Sequence, residues 1–140
     1  MAIRRDAVMM LFVGLATTGV VLLRLFDPAH SLIFPPCPLH YFTGLYCPGC
    51  GSLRALHALL HGDLRQAIAM NALTVILLPF IGFGLVSEIY MQFRERPLVA
   101  MRMPANCIRT LFAVIVLFGI ARNLPFHPFD LLAPGALLHL

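Results

Sequence analysis

The hydrophobic positions of the chain fall into three long runs that polar segments separate. Residues 7–26, 67–90 and 107–124 are almost entirely apolar. A helix of about 20 residues crosses the roughly 30 Å hydrocarbon core of a bilayer. The pattern therefore predicts an all-α integral membrane protein, organised as a single membrane domain with about three transmembrane helices. Pro79 lies inside the second run, where we expect it to kink the helix.

The arginines of the short loops set the predicted orientation, because positive residues that flank a span stay in the cytoplasm. Five of them precede the first run or separate the second from the third: Arg4, Arg5, Arg94, Arg96 and Arg102. The N-terminus and the loop of residues 91–106 are therefore expected on the cytoplasmic side of a bacterial inner membrane. Residues 27–66 then form an extracytoplasmic loop, and residues 125–140 form a tail along the interface. We interpret the first run as a retained helix, with a cleaved signal peptide as the alternative.

The composition fits a membrane protein and argues against two other classes. Hydrophobic residues make up 60% of the 140 residues and charged residues only 11%, whereas soluble domains are about one quarter charged. The net charge of +4 comes from scattered arginines, so the basic stripe with interleaved aromatics that nucleic-acid binding needs is missing. We therefore expect the lipid bilayer as a partner and exclude nucleic acid.

The most distinctive chemistry lies in the Cys-Pro-Gly-Cys-Gly motif of residues 47–51, inside the predicted extracytoplasmic loop. A short interfacial helix is expected to follow it, with Ser52 as N-cap and Gly62 as the residue after the helix. Asp63 is then placed to cap the next helix. Cys50 thus lies near a helix N-terminus, where the helix dipole and the free amides favour a thiolate.

Two further features surround this motif. Arg54, His57 and His61 recur at i, i+3 and i+7, which places them on one face of the short helix. Cys37 lies ten residues before Cys47, close enough along the chain to fold back onto the motif. The loop therefore offers three cysteines, one arginine and two imidazoles for a site.

Three chemical interpretations of the loop stay open. In the first, Cys47 and Cys50 are a catalytic redox pair, and Arg54 and His57 tune the thiol pKa values. In the second, Cys37, Cys47, Cys50 and His57 bind zinc as a tetrahedral set of three sulfurs and one nitrogen. In the third, two of the loop cysteines form a structural disulfide in an oxidising compartment. Zinc is the one cofactor that these residues indicate.

Polar residues near the ends of the second and third runs are expected to hold the loop. Asn71 lies near the start of the second run, and Arg122 and Asn123 lie near the end of the third. Because unpaired polar groups near lipid are costly, we hypothesise that Arg122 and Asn71 tie the loop helix to the bundle, with Asp63 or loop carbonyls as partners. Cys107 lies far from the loop and is interpreted as a small packing residue.

The loop and its neighbouring helices carry a set of short motifs. They are Cys37-Pro38, Thr43-Gly44, Cys47-Pro48-Gly49-Cys50-Gly51, Arg54-Ala55, His57, Gly62-Asp63, Asn71 and Arg122-Asn123. Their order, CP…TG…CPGCG…RA.H…GD…N, resembles a family of short bacterial membrane proteins that carries a domain of unknown function. The resemblance covers about residues 30–134. It implies an integral membrane protein of two to three helices with no established activity. That family has proline after the asparagine, whereas Ala72 follows Asn71 here, which removes the basis for expecting a helix break.

The predicted function is that of a small accessory inner-membrane protein. Its loop would hold a structural cysteine site, either a disulfide or zinc. The small size indicates docking to a larger membrane protein or formation of a homo-oligomer. The alternative is a membrane thiol–disulfide oxidoreductase that uses Cys47 and Cys50, so the sequence leaves open whether the chain is an enzyme.

Overall fold

The computed structural model describes residues 2–31, 33–94 and 105–136. The described residues form helices without any β-strand, which confirms the all-α class. The α-helices are α1 (Ala2–Leu25), α2 (Pro38–Thr43), α3 (Ser52–Leu60), α4 (Leu64–Arg94) and α5 (Ala105–Ala121). Most of the predicted cytoplasmic loop, with Arg96 and Arg102, and the end of the tail at 137–140 lie outside the described residues.

One helix in the described part of the chain is long and apolar enough, by length and composition, to cross a membrane. This is the 28-residue stretch Leu64–Met91 of α4, with a mean hydropathy of 2.1. The apolar parts of the other two long helices are shorter, Met10–Leu25 in α1 and Ala105–Ala121 in α5. Helix length therefore supports one candidate span, and it does not confirm the predicted three.

A small core forms where α3 packs against the start of α4. Ala55, Ala58 and Ala67 are buried there together, and their small side chains let the two helices approach closely. Most large apolar side chains of α1, α4 and α5 are instead exposed. Soluble monomers rarely expose such extended apolar surfaces, so these faces favour an apolar environment around the long helices.

Two short helices frame the cysteine loop, and of these the sequence predicts only α3. The unexpected α2 has Pro38 in its first turn and ends at Gly44, whose φ of +72° is left-handed. Gly62, with φ +81°, follows α3 as expected. At the start of α3 the N-cap is Gly51 and not Ser52, because the left-handed backbone of Gly51 already turns the chain into the helix.

The long helix α4 is interrupted at Asn71, where φ is −161° and ψ is 94°. Pro79, where the sequence predicts a kink, lies within α4, and the non-helical backbone of this helix is at Asn71. The Asn71 side chain explains why no following proline is needed. Its Oδ1 accepts a hydrogen bond from the Thr74 backbone N–H at 3.0 Å, as an N-cap does three residues before its partner. The second part of α4 therefore starts as a newly capped helix.

The end of α5 and the tail bring further polar groups to this break. α5 ends at Ala121, so Arg122 lies just beyond the helix. The tail then passes through a 3₁₀ turn at Phe129–Leu132. The Gly135 backbone N–H donates to the Ala69 carbonyl of α4 at 3.0 Å. The interruption of α4 thus gives the tail a backbone group to bind.

Candidate metal site and its polar frame

The three loop cysteines converge on one point. Cys47 Sγ lies 3.4 Å from Cys37 Sγ and 3.2 Å from Cys50 Sγ. All three sulfurs lie within 4.8 Å of one another. None of them is in a disulfide, and the distances are far longer than the roughly 2.05 Å of an S–S bond. The three thiols are therefore close enough to bind a single metal ion.

Local backbone structure positions each sulfur. Cys37 directly precedes α2 as its N-cap residue, with φ −59° and ψ 122°. Cys47 and Cys50 face each other across a tight turn, which the Cys50 N–H closes by donating to the Cys47 carbonyl at 3.0 Å. The Cys47 N–H also lies 3.3 Å from Cys50 Sγ, so a backbone amide supports the buried sulfur.

Close backbone approaches hold this turn between α4 and α5. A Cβ on Gly51 would lie 2.5 Å from the Met70 carbonyl oxygen of α4. A Cβ on Gly119 of α5 would lie 2.7 Å from Cγ of Pro48. Only glycine permits both approaches. The cysteine turn is therefore packed tightly against both helices.

Arg122 supplies a buried cation to the turn. Its side chain is 2% exposed, and Nη1 donates to the carbonyls of Cys47 and Cys50, each at 3.0 Å, and of Pro48 at 3.3 Å. The guanidinium carbon lies 5.1 Å from the centre of the Phe118 ring. Within the described residues no carboxylate pairs with Arg122, and Nε and Nη2 are buried without a hydrogen-bond partner. The site thus contains a positive charge that no acidic side chain of the described chain offsets.

Asn71 binds the same turn from the α4 side. Its side chain is 1% exposed, and Nδ2 lies 2.9 Å from the Pro48 carbonyl, 3.1 Å from the Cys50 carbonyl and 3.1 Å from Ser52 Oγ. Arg122 and Asn71 therefore both contact loop carbonyls, which were among their hypothesised partners. Asp63, the other hypothesised partner, instead accepts from a backbone N–H in the first turn of α4 at 2.8 Å.

Asn123 holds the residue before the motif. Its Oδ1 accepts from the Tyr46 N–H at 2.7 Å, and its Nδ2 donates to the Tyr46 carbonyl at 2.8 Å. Nδ2 also donates to the Gly119 carbonyl at 2.6 Å. Because both backbone groups of Tyr46 are paired with one side chain, the chain enters the cysteine turn in a defined position.

The structure does not bring His57 to the cysteines as a fourth ligand. Its Nδ1 donates to the Leu23 carbonyl of α1 at 2.6 Å, so the imidazole links α3 to α1. The group of residues able to share a metal ion contains the three cysteines and not His57. Neither His57 nor the exposed Arg54 is among the groups that shift the pKa values of Cys37 and Cys50.

The thiols of Cys37 and Cys50 differ in acidity. A hydrogen bond from the His40 backbone, with further ones from Cys47 and Cys50, lowers the pKa of Cys37 to about 7. Burial, followed by the hydrogen bond with Cys47, raises the pKa of Cys50 to about 12. The expectation that the start of α3 stabilises a Cys50 thiolate is therefore wrong, because the loss of solvent outweighs the helix terminus.

Three contributors to the frame escaped the sequence analysis. Tyr46 is the backbone partner of Asn123, and Ser52 Oγ lies 2.7 Å from Thr74 Oγ1, joining α3 to α4. Thr74 could have been noticed in the sequence because it is a polar residue inside an apolar run. Cys107 lies in the first turn of α5 and outside the cysteine cluster. It is exposed, so the structure does not bury it as the packing residue that the sequence predicts.

Comparison with known proteins finds one family model that matches part of the chain, and this family has no described activity. Residues 37–85 match the model of a family described as a protein of unknown function (DUF2752), consistent with the resemblance to an uncharacterised family. The match includes all three cysteines of the cluster, α2, α3 and most of α4. No curated protein and no solved structure matches the chain.

Proposed function

We propose that the chain is a small membrane protein whose loop binds one zinc ion through Cys37, Cys47 and Cys50. The observation that carries the proposal is the convergence of three unbonded sulfurs within 4.8 Å. Tetrahedral zinc with Zn–S bonds of about 2.3 Å places its sulfurs roughly 3.8 Å apart. The sulfur distances of 3.4 Å and 3.2 Å around Cys47 need to open by only about half an ångström to meet that geometry.

The charge balance of the site favours a metal thiolate. Zn²⁺ with three thiolates carries one net negative charge, and a buried guanidinium next to it brings the total to zero. A buried cation without a counter-ion is strongly unfavourable, and the described residues offer Arg122 no carboxylate. A zinc–thiolate group would supply the missing negative charge at the turn whose backbone carbonyls Arg122 contacts.

The role of zinc in this proposal is structural. The ion would join the start of α2, through Cys37, to the turn that leads into α3. The buried apolar cluster beneath this turn consists of three alanines, Ala55, Ala58 and Ala67, which offers little hydrophobic stabilisation to the loop. Metal binding that occurs only in the folded loop contributes its free energy to folding.

The long helices bear on where the cysteine loop lies relative to the membrane. We propose that α1 and α5 cross the membrane together with α4, with the cysteine loop on the extracytoplasmic side. The exposed apolar side chains along all three helices support this arrangement. They also provide a surface for a larger membrane protein or a second copy of the chain. After a chelator has removed the metal, an impermeant maleimide applied to intact spheroplasts should label the loop cysteines and not Cys107. The reverse pattern would overturn the orientation.

Metal content tests the site directly. Protein purified in detergent should contain about one zinc per chain by mass spectrometry, in line with a single structural site. Cys47→Ser should lose the metal, because this residue supplies the central sulfur. Cys107→Ser is the matched control, since it removes a thiol outside the cluster, and it should retain the metal. Absence of metal from the wild-type protein and from both variants would reject the zinc proposal.

The alternative function is thiol–disulfide exchange, and the position of Cys47 between two other sulfurs favours it over a simple disulfide staple. Oxidation of Cys47 and Cys50 to a disulfide would transfer two electrons and two protons to a substrate disulfide, releasing two thiols. This alternative predicts a metal-free protein whose dithiol titrates reversibly against a glutathione buffer. A staple would instead resist reduction at the same potentials.

A further inference from the structure

The cysteine cluster borders a cleft of about 550 Å³. Cys37 and Cys50 both lie in its wall, together with Phe34, Leu53 and several prolines. Volumes of this size are typical of small-molecule sites. The metal site of the proposed function therefore has a neighbouring space large enough for a ligand.

The protein supplies three metal ligands, whereas tetrahedral zinc takes four. Each nearby imidazole binds a backbone carbonyl through Nδ1: His57 donates to Leu23 at 2.6 Å, and His40 donates to Gly44 at 3.1 Å. The His40 ring also stacks on a tyrosine ring in the cleft wall. Neither imidazole joins the group of residues that can share one ion. Open fourth positions are characteristic of zinc sites that bind an exogenous ligand.

The lining of the cleft selects a class of ligand. Arg54 lies in its wall with His30 and His40, and the described lining residues include no aspartate or glutamate. This charge pattern favours an anion, because the guanidinium can pair with a carboxylate. A metal already bound by thiolates also accepts a further soft sulfur donor readily.

We propose that the cleft admits a low-molecular-weight thiol bearing a carboxylate, whose sulfur takes the fourth position on the metal and whose carboxylate pairs with Arg54. This inference rests on the proposed function, since it requires the metal at the three cysteines. Binding forms one metal–sulfur bond and releases the thiol proton to solvent. It involves no electron transfer.

Cobalt-loaded protein provides the test, because Co²⁺ in a thiolate site absorbs visible light and its spectrum changes with the fourth ligand. The full chain in detergent is titrated with mercaptoacetate and, separately, with 2-mercaptoethanol, which has the same thiol and no carboxylate. We expect mercaptoacetate to bind about three- to fivefold more tightly, the range of a solvent-accessible ion pair. Arg54→Gln should remove this preference and leave the response to 2-mercaptoethanol unchanged.

Arg65→Gln is the matched control, because Arg65 is exposed and does not line the cleft, and it should keep the preference. Cobalt content after desalting distinguishes binding from removal of the metal by the thiol. A bound cobalt whose spectrum responds to neither thiol would mean that a protein donor fills the fourth position, which overturns this inference alone. Loss of cobalt from the protein during titration would also overturn it. Failure of the protein to bind cobalt at all would instead reject the underlying metal site.

Discussion

Replacing Arg122 by leucine tests whether a buried cation holds the cysteine turn. The guanidinium contacts three carbonyls of the turn through one nitrogen, with distances of 3.0 Å to Cys47, 3.3 Å to Pro48 and 3.0 Å to Cys50. Leucine retains an apolar group beside Phe118 but removes both the hydrogen bonds and the charge. We therefore expect Arg122→Leu to lower stability and metal affinity together.

The size of the effect follows from the number of hydrogens available. Nη1 carries two hydrogens for three acceptors, so it makes two full hydrogen bonds at most. Each hydrogen bond to a charged group contributes about 1.5–3 kcal/mol. The carbonyls retain other donors, Asn71 for Pro48 and Cys50 and a backbone N–H for Cys47. Since leucine also avoids the cost of burying a charge, we expect a net loss of about 2–4 kcal/mol in the free energy of unfolding.

Denaturation in mixed micelles measures this loss, and competition with a zinc chelator measures the affinity. Residues that orient metal ligands typically change affinity by about 10- to 100-fold when replaced, and Arg122→Leu should fall in that range. Arg109→Leu removes an exposed arginine from α5, the helix that ends just before Arg122, and controls for the loss of charge and solubility. If the free energies of unfolding of Arg122→Leu and Arg109→Leu agree within about 0.5 kcal/mol, and Arg122→Leu keeps its zinc affinity, the turn does not depend on the buried cation.

Two further predictions address the backbone and the thiols. Gly51→Ala should destabilise the protein by about 2–4 kcal/mol, because its Cβ would lie 2.5 Å from a backbone oxygen of α4. Gly62→Ala, at a similar φ of +81° but with open space around the new Cβ, should lose only about 1–2 kcal/mol, and equal losses would contradict the packing argument. In metal-free protein, alkylation of Cys37 should rise with a midpoint near pH 7, its pKa, while Cys50 stays unreactive. The lowered pKa of Cys37 contributes stability above pH 9 that is lost as the pH falls through about 7, and the raised pKa of Cys50 contributes stability below pH 9 that is lost as the pH rises toward about 12. Unfolding of the apoprotein across this range should therefore show a maximum near pH 9, and alkylation of Cys50 before Cys37 would refute the order of acidities.

The elements that could be predicted from the sequence are those set by local chemistry. The helical class follows from apolar runs, and the cap of α4 follows from Asp63 after a glycine, because both depend on residues within one turn. The grouping of Cys37 with the Cys47–Cys50 pair was also accessible, since ten residues separate Cys37 from Cys47. The sequence pattern therefore predicts which cysteines form the site, but it does not predict how their sulfur atoms are arranged.

The features that escaped prediction depend on contacts between distant segments. Asn123 pairs with Tyr46 across 77 positions of the chain, and no local pattern encodes that pairing. The acidity of Cys50 was misjudged because helix position is visible in a sequence, whereas burial beneath the α4 and α5 segments is not. The break in α4 at Asn71 escaped for a related reason, since it depends on a side chain that caps the restarted helix and binds the loop at the same time.

The polar frame explains why the two helix interruptions occur beside the cysteines. Backbone N–H groups inside an apolar helix are normally paired within the helix itself. Side-chain donors near lipid are costly when they have no partner. The break at Asn71 and the end of α5 before Arg122 place such donors where the cysteine turn presents its carbonyls. The carbonyls of the cysteine turn also accept hydrogen bonds from the Asn71 and Arg122 side chains, which would otherwise be unpaired. The loop and the two helices therefore depend on each other. A metal bound by the three sulfurs would stabilise the carbonyl geometry that Asn71 and Arg122 require. Its influence would then extend from the loop to the parts of α4 and α5 that border the turn.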